Sequence, residues 1–175
     1  DFVVVSVQVG PREDVWELDW QIPLRHGVRQ PYAENGGPGA LAHTARNAPL
    51  ILAIAQDMER LCPETWLLNF TNPLIRLTWV VERYTKIKVV GLCHQVYYGY
   101  AMLGQIFSGD VGLEAPPVLT NGAPYELIEA VGREGYDAFS RLAAEKISVR
   151  SAGLNHFIWG SGSGNYTVNV PRLIQ

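Results

Sequence analysis

The sequence predicts an α/β fold organised around a parallel sheet, and three observations predict it. Short apolar runs rich in β-branched residues recur along the first half of the chain. Stretches with apolar residues at helical spacing separate them. Each run ends in glycine or polar residues, the punctuation expected between strand and helix. Alternation of this kind builds a sheet covered by helices on both faces, with the C-terminal ends of its strands on one edge.

Taken in order, Phe2 to Val9 is a continuous β-branched run, expected to form a strand buried on both faces. A loop rich in Pro and Gly is expected after it, through ENGGPGA. From about Leu41 to Leu61 the period changes, with Ile51, Ile54, Met58 and Leu61 at helical spacing. Trp66 to Phe70 is a short strand. Asn72 and Pro73 open a helix that runs to about Tyr84, Asn72 as its N-cap and Pro73 in its first turn. Ile87 to Leu92 is the next strand, and His94 to Phe107 the next helix. SGDVGLEAPPVLTNGAP reads as loop. Glu126 to Glu145 holds two short helical patterns, and Ile147 to Ala152 is a strand candidate leading into GLNHFIW. GSGSGN near the end reads as a flexible connector. It does not lie between a buried strand and a helix, so it is not a dinucleotide-binding glycine turn.

Composition narrows the function. The chain has 175 residues, 47% hydrophobic and 18% charged, a globular balance. The net charge of -3, with scattered Lys and Arg, argues against a basic stripe, so no nucleic-acid partner is expected. No apolar run reaches the roughly 18 residues of a membrane span, so no membrane partner is expected. Two cysteines form no disulfide framework and fit a reducing, cytoplasmic setting. Opening directly on a strand points to a fragment of a longer protein.

Gly10, Thr71-Asn72 and Cys93-His94 fall at the C-terminal ends of the three expected strands, the edge at which open sheets of this type bind ligands. Each candidate also has a plainer reading. Cys93 fits a packed thiol, His94 a loop or cap partner, Asn72 a helix cap, His156 a histidine satisfied in the turn of GLNHF, and Glu34 a solvated loop acid. His26 and His43 have only that plainer reading, and Cys62 reads as a buried thiol at a helix end. As a set they suggest more. A thiolate and an imidazole bind a divalent transition metal and leave positions open for substrate oxygens, which is the pattern of a catalytic metal.

The ordered series VSVQVG, IPLRHGVRQ, ENGGPG, LLNFTNP, VVGLCH and GLNHFIW resembles glycoside hydrolase family 4, whose members depend on NAD and manganese. The match runs from Asp1 to about Trp159, and TNP, GLCH and GLNHF in that order carry it. The resemblance implies a Rossmann-like sheet that lacks its N-terminal mononucleotide half. Residues 1–108 would be the C-terminal part of an NAD-binding domain, and residues 109–175 the start of an α+β substrate and metal domain of the lactate dehydrogenase-like type. It also implies a reaction in which NAD accepts a hydride from C3 of the sugar and the proton on C2 becomes acidic. The glycosidic oxygen then leaves by elimination, while Mn2+ or another divalent metal grips the C2 and C3 oxygens.

By position, the resemblance makes Cys93 and His156 the metal ligands. Asn72 becomes a substrate-binding residue beside the nicotinamide, and Asn155 a second contact to the sugar. His94 takes the place of the proton donor to the leaving group. Glu34 takes that of a loop acid that raises the basicity of the catalytic tyrosine, and Gln8 and Val9 those of residues against the cofactor. The family's glycine-rich first turn and its catalytic tyrosine are not in this chain, so the chain alone is expected to be inactive. Where phospho-sugar members carry an arginine before LD, this chain has Trp16-Glu17 before Leu18-Asp19. That points to unphosphorylated α-glycosides. α-Galacturonides are among them, because ENGGPG and WELDW are similar to the α-galacturonidase branch. A small-molecule α-glycoside substrate and a homo-oligomer, dimer or tetramer, are expected. The alternatives are a 2-hydroxyacid dehydrogenase relative that performs net hydride transfer, and a degenerate, non-catalytic binding module.

Overall fold

The computed structural model describes residues 1–10, 12–30, 36–114, 124–154 and 157–163. The chain forms two compact units, Asp1–Cys93 and His94–Gln175.

The first unit contains β1 (Phe2–Val5), α1 (Arg12–Arg25), α2 (Gly37–Leu61), β2 (Trp66–Asn69), α3 (Leu74–Tyr84) and β3 (Lys88–Gly91). The strands form a parallel sheet in the order β1-β2-β3, with Phe2 opposite Trp66 and Trp66 opposite Lys88. Alternate side chains point to opposite faces of a strand. Val5 and Leu67 meet Ile51, Ala55 and Met58 of α2 and Leu77 and Val81 of α3 in one core. Ile51, Leu67, Leu77 and Val81 are completely buried, each contributing about 1.5–3 kcal/mol of transfer free energy. On the opposite face Phe2 is 67%, Val4 62% and Trp66 41% exposed. β1 is therefore not buried on both faces as its continuous apolar run suggests. The core gathers on the side of Val5 and Leu67, and both helices serve that side.

The expected loop between β1 and α2 contains the helix α1. Its apolar side chains give no sign of it, since Leu18, Trp20, Ile22 and Leu24 are all exposed. Polar contacts to its neighbours hold it instead. Asp19, almost fully buried, forms a two-pronged ion pair with Arg46 of α2. Gln30 Nε2 donates to the Asp19 carbonyl (2.9 Å), and Gln30 Oε1 accepts from Gly39 N–H (3.1 Å). At Gly39 a Cβ would lie 2.2 Å from the Asp19 carbonyl oxygen, so only glycine permits this approach.

At the start of α3 the cap residue is Pro73, not Asn72. Asn72 instead accepts from Leu74 N–H through Oδ1 (3.3 Å), a short side-chain turn into the helix. Cys62 caps the end of α2 and is half-buried rather than buried.

The second unit contains α4 (Gln95–Ile106), α5 (Ser108–Val111), α6 (Pro124–Lys146), β4 (Ser148–Leu154) and β5 (Phe157–Ser163). Ala101 of α4 packs with Tyr136 and Phe139 of α6, with Tyr98 against them. Gly104 lies at the closest approach, where a Cβ would sit 2.7 Å from that of Ala143. α4 packs on α6, and both belong to the unit that begins at His94. The two helical patterns of α6 meet at Gly132, whose φ of 73° breaks the run. β4 and β5 form an antiparallel hairpin from Ser148 opposite Ser163 to Leu154 opposite Phe157. Gly160 to Ser163 therefore belong to a strand and not to a connector, because ladder pairing with β4 orders a segment that composition alone reads as flexible. Ser108 to Val111, expected as loop, forms the short helix α5. Among the described residues no helix is long and apolar enough to cross a membrane.

Candidate functional site

The three parallel strands end on one edge of the first unit. Phe70 N–H donates to the Val5 carbonyl (2.8 Å) and Leu92 N–H to the Asn69 carbonyl (2.9 Å), carrying the pairing past the strand ends. Buried polar side chains then fix the turns beyond. Thr71 Oγ1 accepts from Val7 N–H (2.9 Å), and Asn69 Oδ1 accepts from Thr71 N–H (2.9 Å). Asn69 Nδ2 donates to Thr78 Oγ1 on α3 (3.2 Å). Asn47 of α2 accepts from Val9 N–H through Oδ1 (3.1 Å) and donates from Nδ2 to the His43 carbonyl (3.0 Å). Asn47 and Asn69 are completely buried and Thr71 nearly so. A satisfied buried network of this kind rigidifies the backbone it holds.

That rim encloses a cleft of ≈ 340 Å³. Ser6, Val7 and Gln8 form one wall, and Phe70, Thr71 and Asn72 another. Trp16 of α1 and His43 of α2 close it, their rings edge to face at 5.2 Å. Two sequence-predicted residues, Gln8 and Asn72, thus line one cleft, and Val9 is pinned beside it through Asn47. Cys93 follows β3 on the same sheet edge, with its thiol exposed.

His94 is the N-cap residue of α4, and its ring stacks on Tyr98 at 5.7 Å. It lines a second cleft, of ≈ 460 Å³, with Tyr97, Arg133, Asp137 and Arg141. Tyr98 in turn meets Tyr136 edge to face at 5.7 Å. Tyr136 is buried, and its phenol pKa is pushed up to about 12 by that burial, with Tyr98 and Asp137 adding to the effect and Arg133 opposing it. The Ser140 hydroxyl is committed to the Tyr136 carbonyl (2.8 Å), and the phenol oxygen has no hydrogen-bond partner.

Glu34, Asn155 and His156 lie outside the described residues. Among the described residues no group of three or more His, Cys, Asp or Glu side chains is placed to hold a metal, and one member of the expected pair, His156, is not among them. Sequence reasoning did not bring Trp16 or His43 to the first cleft. Trp16 was hidden in the stretch read as loop. His43 carried one faint signal: it sits four residues before Asn47, on the same face of α2.

Comparison with known proteins adds a family likeness. The pattern of the family 4 glycosyl hydrolases matches residues 1–107. An α-glucosidase of Erwinia rhapontici is 45% identical over 97 residues, covering 55% of this chain and 21% of that protein. An α-galactosidase of Bacillus subtilis is 34% identical over 158 residues, covering 90% of this chain and 29% of that protein. An α-galacturonidase of the same organism is 28% identical over 160 residues, covering 91% and 30%. The crystal structure of lplD from Bacillus subtilis, described as a glucosidase, superposes with a TM-score of 0.67 at 26% identity, covering 99% of this chain and 34% of that one. The chain thus spans between a fifth and about a third of the length of these proteins.

Proposed function

Since this chain belongs to family 4 of the glycosyl hydrolases, we propose that it carries the nicotinamide end and part of the metal site of an NAD- and Mn2+-dependent α-glycosidase. The observation that carries this reading is the cleft at the strand ends, where Gln8 and Asn72 face one space walled by an aromatic ring. Polar groups over strand C-termini beside an aromatic wall suit a planar, amide-bearing ring. An exposed thiol on the same edge suits a soft metal ligand. When bound, the nicotinamide supplies reversible hydride acceptance and the metal supplies Lewis acidity.

The chain's own residues do the positioning. Gln8 and the backbone at Val9 hold the cofactor's reactive end, and Asn72 fixes the sugar beside it. Cys93 and His156 would hold the metal, which would supply Lewis acidity to the sugar, and Asn155 would add a contact to the same sugar. His94 donates a proton to the departing glycosidic oxygen. Glu34 acts indirectly, by raising the basicity of a tyrosine base. The substrates are unphosphorylated α-glycosides, with α-galacturonides among them.

The test uses the full-length protein that carries this chain, with aryl α-glycosides. Sugar release that requires both NAD and Mn2+, with no net NADH formed, is the expected result. Net NADH production without sugar release would overturn the reading in favour of a dehydrogenase.

A further inference from the structure

Two side chains close the strand-end cleft, and they ride on helices held in different ways. His43 belongs to α2, which places Ile51, Ala55 and Met58 in the core of the first unit. Trp16 belongs to α1, and no described residue of α1 joins that core. Leu18, Trp20, Ile22 and Leu24 of α1 are 41–50% exposed, so the helix gains little of the burial that anchors its neighbours. Its fastening is polar. Asp19 pairs with Arg46, Gln30 donates to the Asp19 carbonyl, and Gly39 N–H donates back to Gln30. Swinging α1 outward returns both charges to water and so recovers the desolvation cost of their burial. At either end the chain turns on a glycine with positive φ, Gly10 at 85° and Gly27 at 74°. Nothing lies within 4 Å of where a Cβ on Gly27 would stand, so that corner is free of packing. An element with few buried apolar contacts, bounded by such turns, opens at lower free energy than the core beside it.

We infer that α1 is a hinged cover of the strand-end cleft: it swings aside to admit the cofactor's nicotinamide end and, latched by Asp19 on Arg46, lays Trp16 over that ring. The inference rests on the cofactor reading for the occupant, and on the packing of α1 alone for the motion. Trp16 is then a binding residue, an aromatic wall that keeps water from the ring. Asp19 and Arg46 are positioning residues that act through it. His43, 2% exposed on α2, is the fixed edge against which Trp16 closes, with 5.2 Å between the ring centres.

The experiment is amide hydrogen exchange on the full-length protein, followed peptide by peptide with and without NADH. Without nucleotide, the amides of α1 are expected to exchange at least about tenfold faster than those of α2 from Ile51 to Met58. Saturating NADH is expected to slow α1 about tenfold and to leave that part of α2 unchanged. Asp19→Asn is expected to speed α1 exchange without nucleotide and to raise the NADH release rate about three- to tenfold, read by stopped-flow fluorescence. Arg46→Lys, which keeps a charge opposite Asp19, is expected to fall between the two. A merely structural pair would leave NADH release unchanged. Trp16→Ala is expected to weaken NADH binding about tenfold. Exchange in α1 as slow as in α2 would overturn the cover, as would exchange in α1 that bound NADH does not slow. Both are read on the unmodified protein, so neither depends on how a variant folds. The two readings fail separately. Fast α1 exchange in a protein that binds no NADH removes the cofactor and leaves the moving helix, whereas bound NADH with α1 unprotected removes the cover alone.

Discussion

Oδ1 of Asn47, completely buried in α2, accepts a hydrogen bond from the backbone N–H of Val9, 38 residues earlier in the chain (3.1 Å). One side chain thereby fixes the turn after β1, from which Gln8 reaches the cleft. Replacing Asn47 by Leu strands the Val9 N–H and is expected to destabilise the fold by about 1–3 kcal/mol. Urea denaturation reads the loss, and amide exchange is expected to be fastest at Val9. Asn47→Asp keeps the acceptor and is expected to protect that amide better than Leu does.

The pair Asp19–Arg46 joins α1 to α2 with a carboxylate that is only 6% exposed. Asp19→Ala leaves the guanidinium of Arg46 without its partner and is expected to lower stability by about 3–5 kcal/mol. Replacing both by apolar residues of similar size is expected to cost less than the single change, because no charge is then left unpaired. A double-mutant cycle in urea measures both.

Tyr136 gives the fold an alkaline limit. In the unfolded chain its phenol ionises near 10, whereas the folded protein keeps the proton to about 12. Its contribution is intact below pH 10 and is lost as the pH rises from 10 through 12, by about 2–3 kcal/mol in all. Tyr136→Phe is expected to flatten that limb. Below pH 10 it is expected to be neutral or stabilising, since it removes a buried hydroxyl that has no partner. Urea midpoints across the alkaline range check both statements.

Gly104 sets the distance between α4 and α6. Its Cβ, if present, would meet Ala143 at 2.7 Å and the Phe139 ring at 3.2 Å. Gly104→Ala is therefore expected to destabilise by about 1–3 kcal/mol, despite the better helix propensity of alanine. Thermal melts of the variant measure it, and a gain in stability would contradict the close packing.

What the sequence disclosed follows from which interactions write a local pattern. The short apolar runs of β1, β2 and β3 and the helical spacing of Ile51, Ile54 and Met58 record burial, so those elements were legible in place. α1 was not, because its exposed Leu18, Ile22 and Leu24 leave no apolar stripe and its anchor, Asp19–Arg46, is a contact 27 residues long. β5 was hidden for a related reason: GSGS becomes strand only through pairing with β4. In the site, Asn72 was legible because it sits at a strand end, and Gln8 through the family resemblance. Trp16 and His43 reach the same cleft from helices, by packing that no short motif records.

The account depends most on Cys93 as a metal ligand, and cobalt substitution tests it directly. Co2+ added to the reduced full-length protein is expected to give a sulfur-to-metal charge-transfer band that Cys93→Ser abolishes and His156→Ala weakens or shifts. A band that persists unchanged in Cys93→Ser, or no band in the unmodified protein, would contradict the assignment.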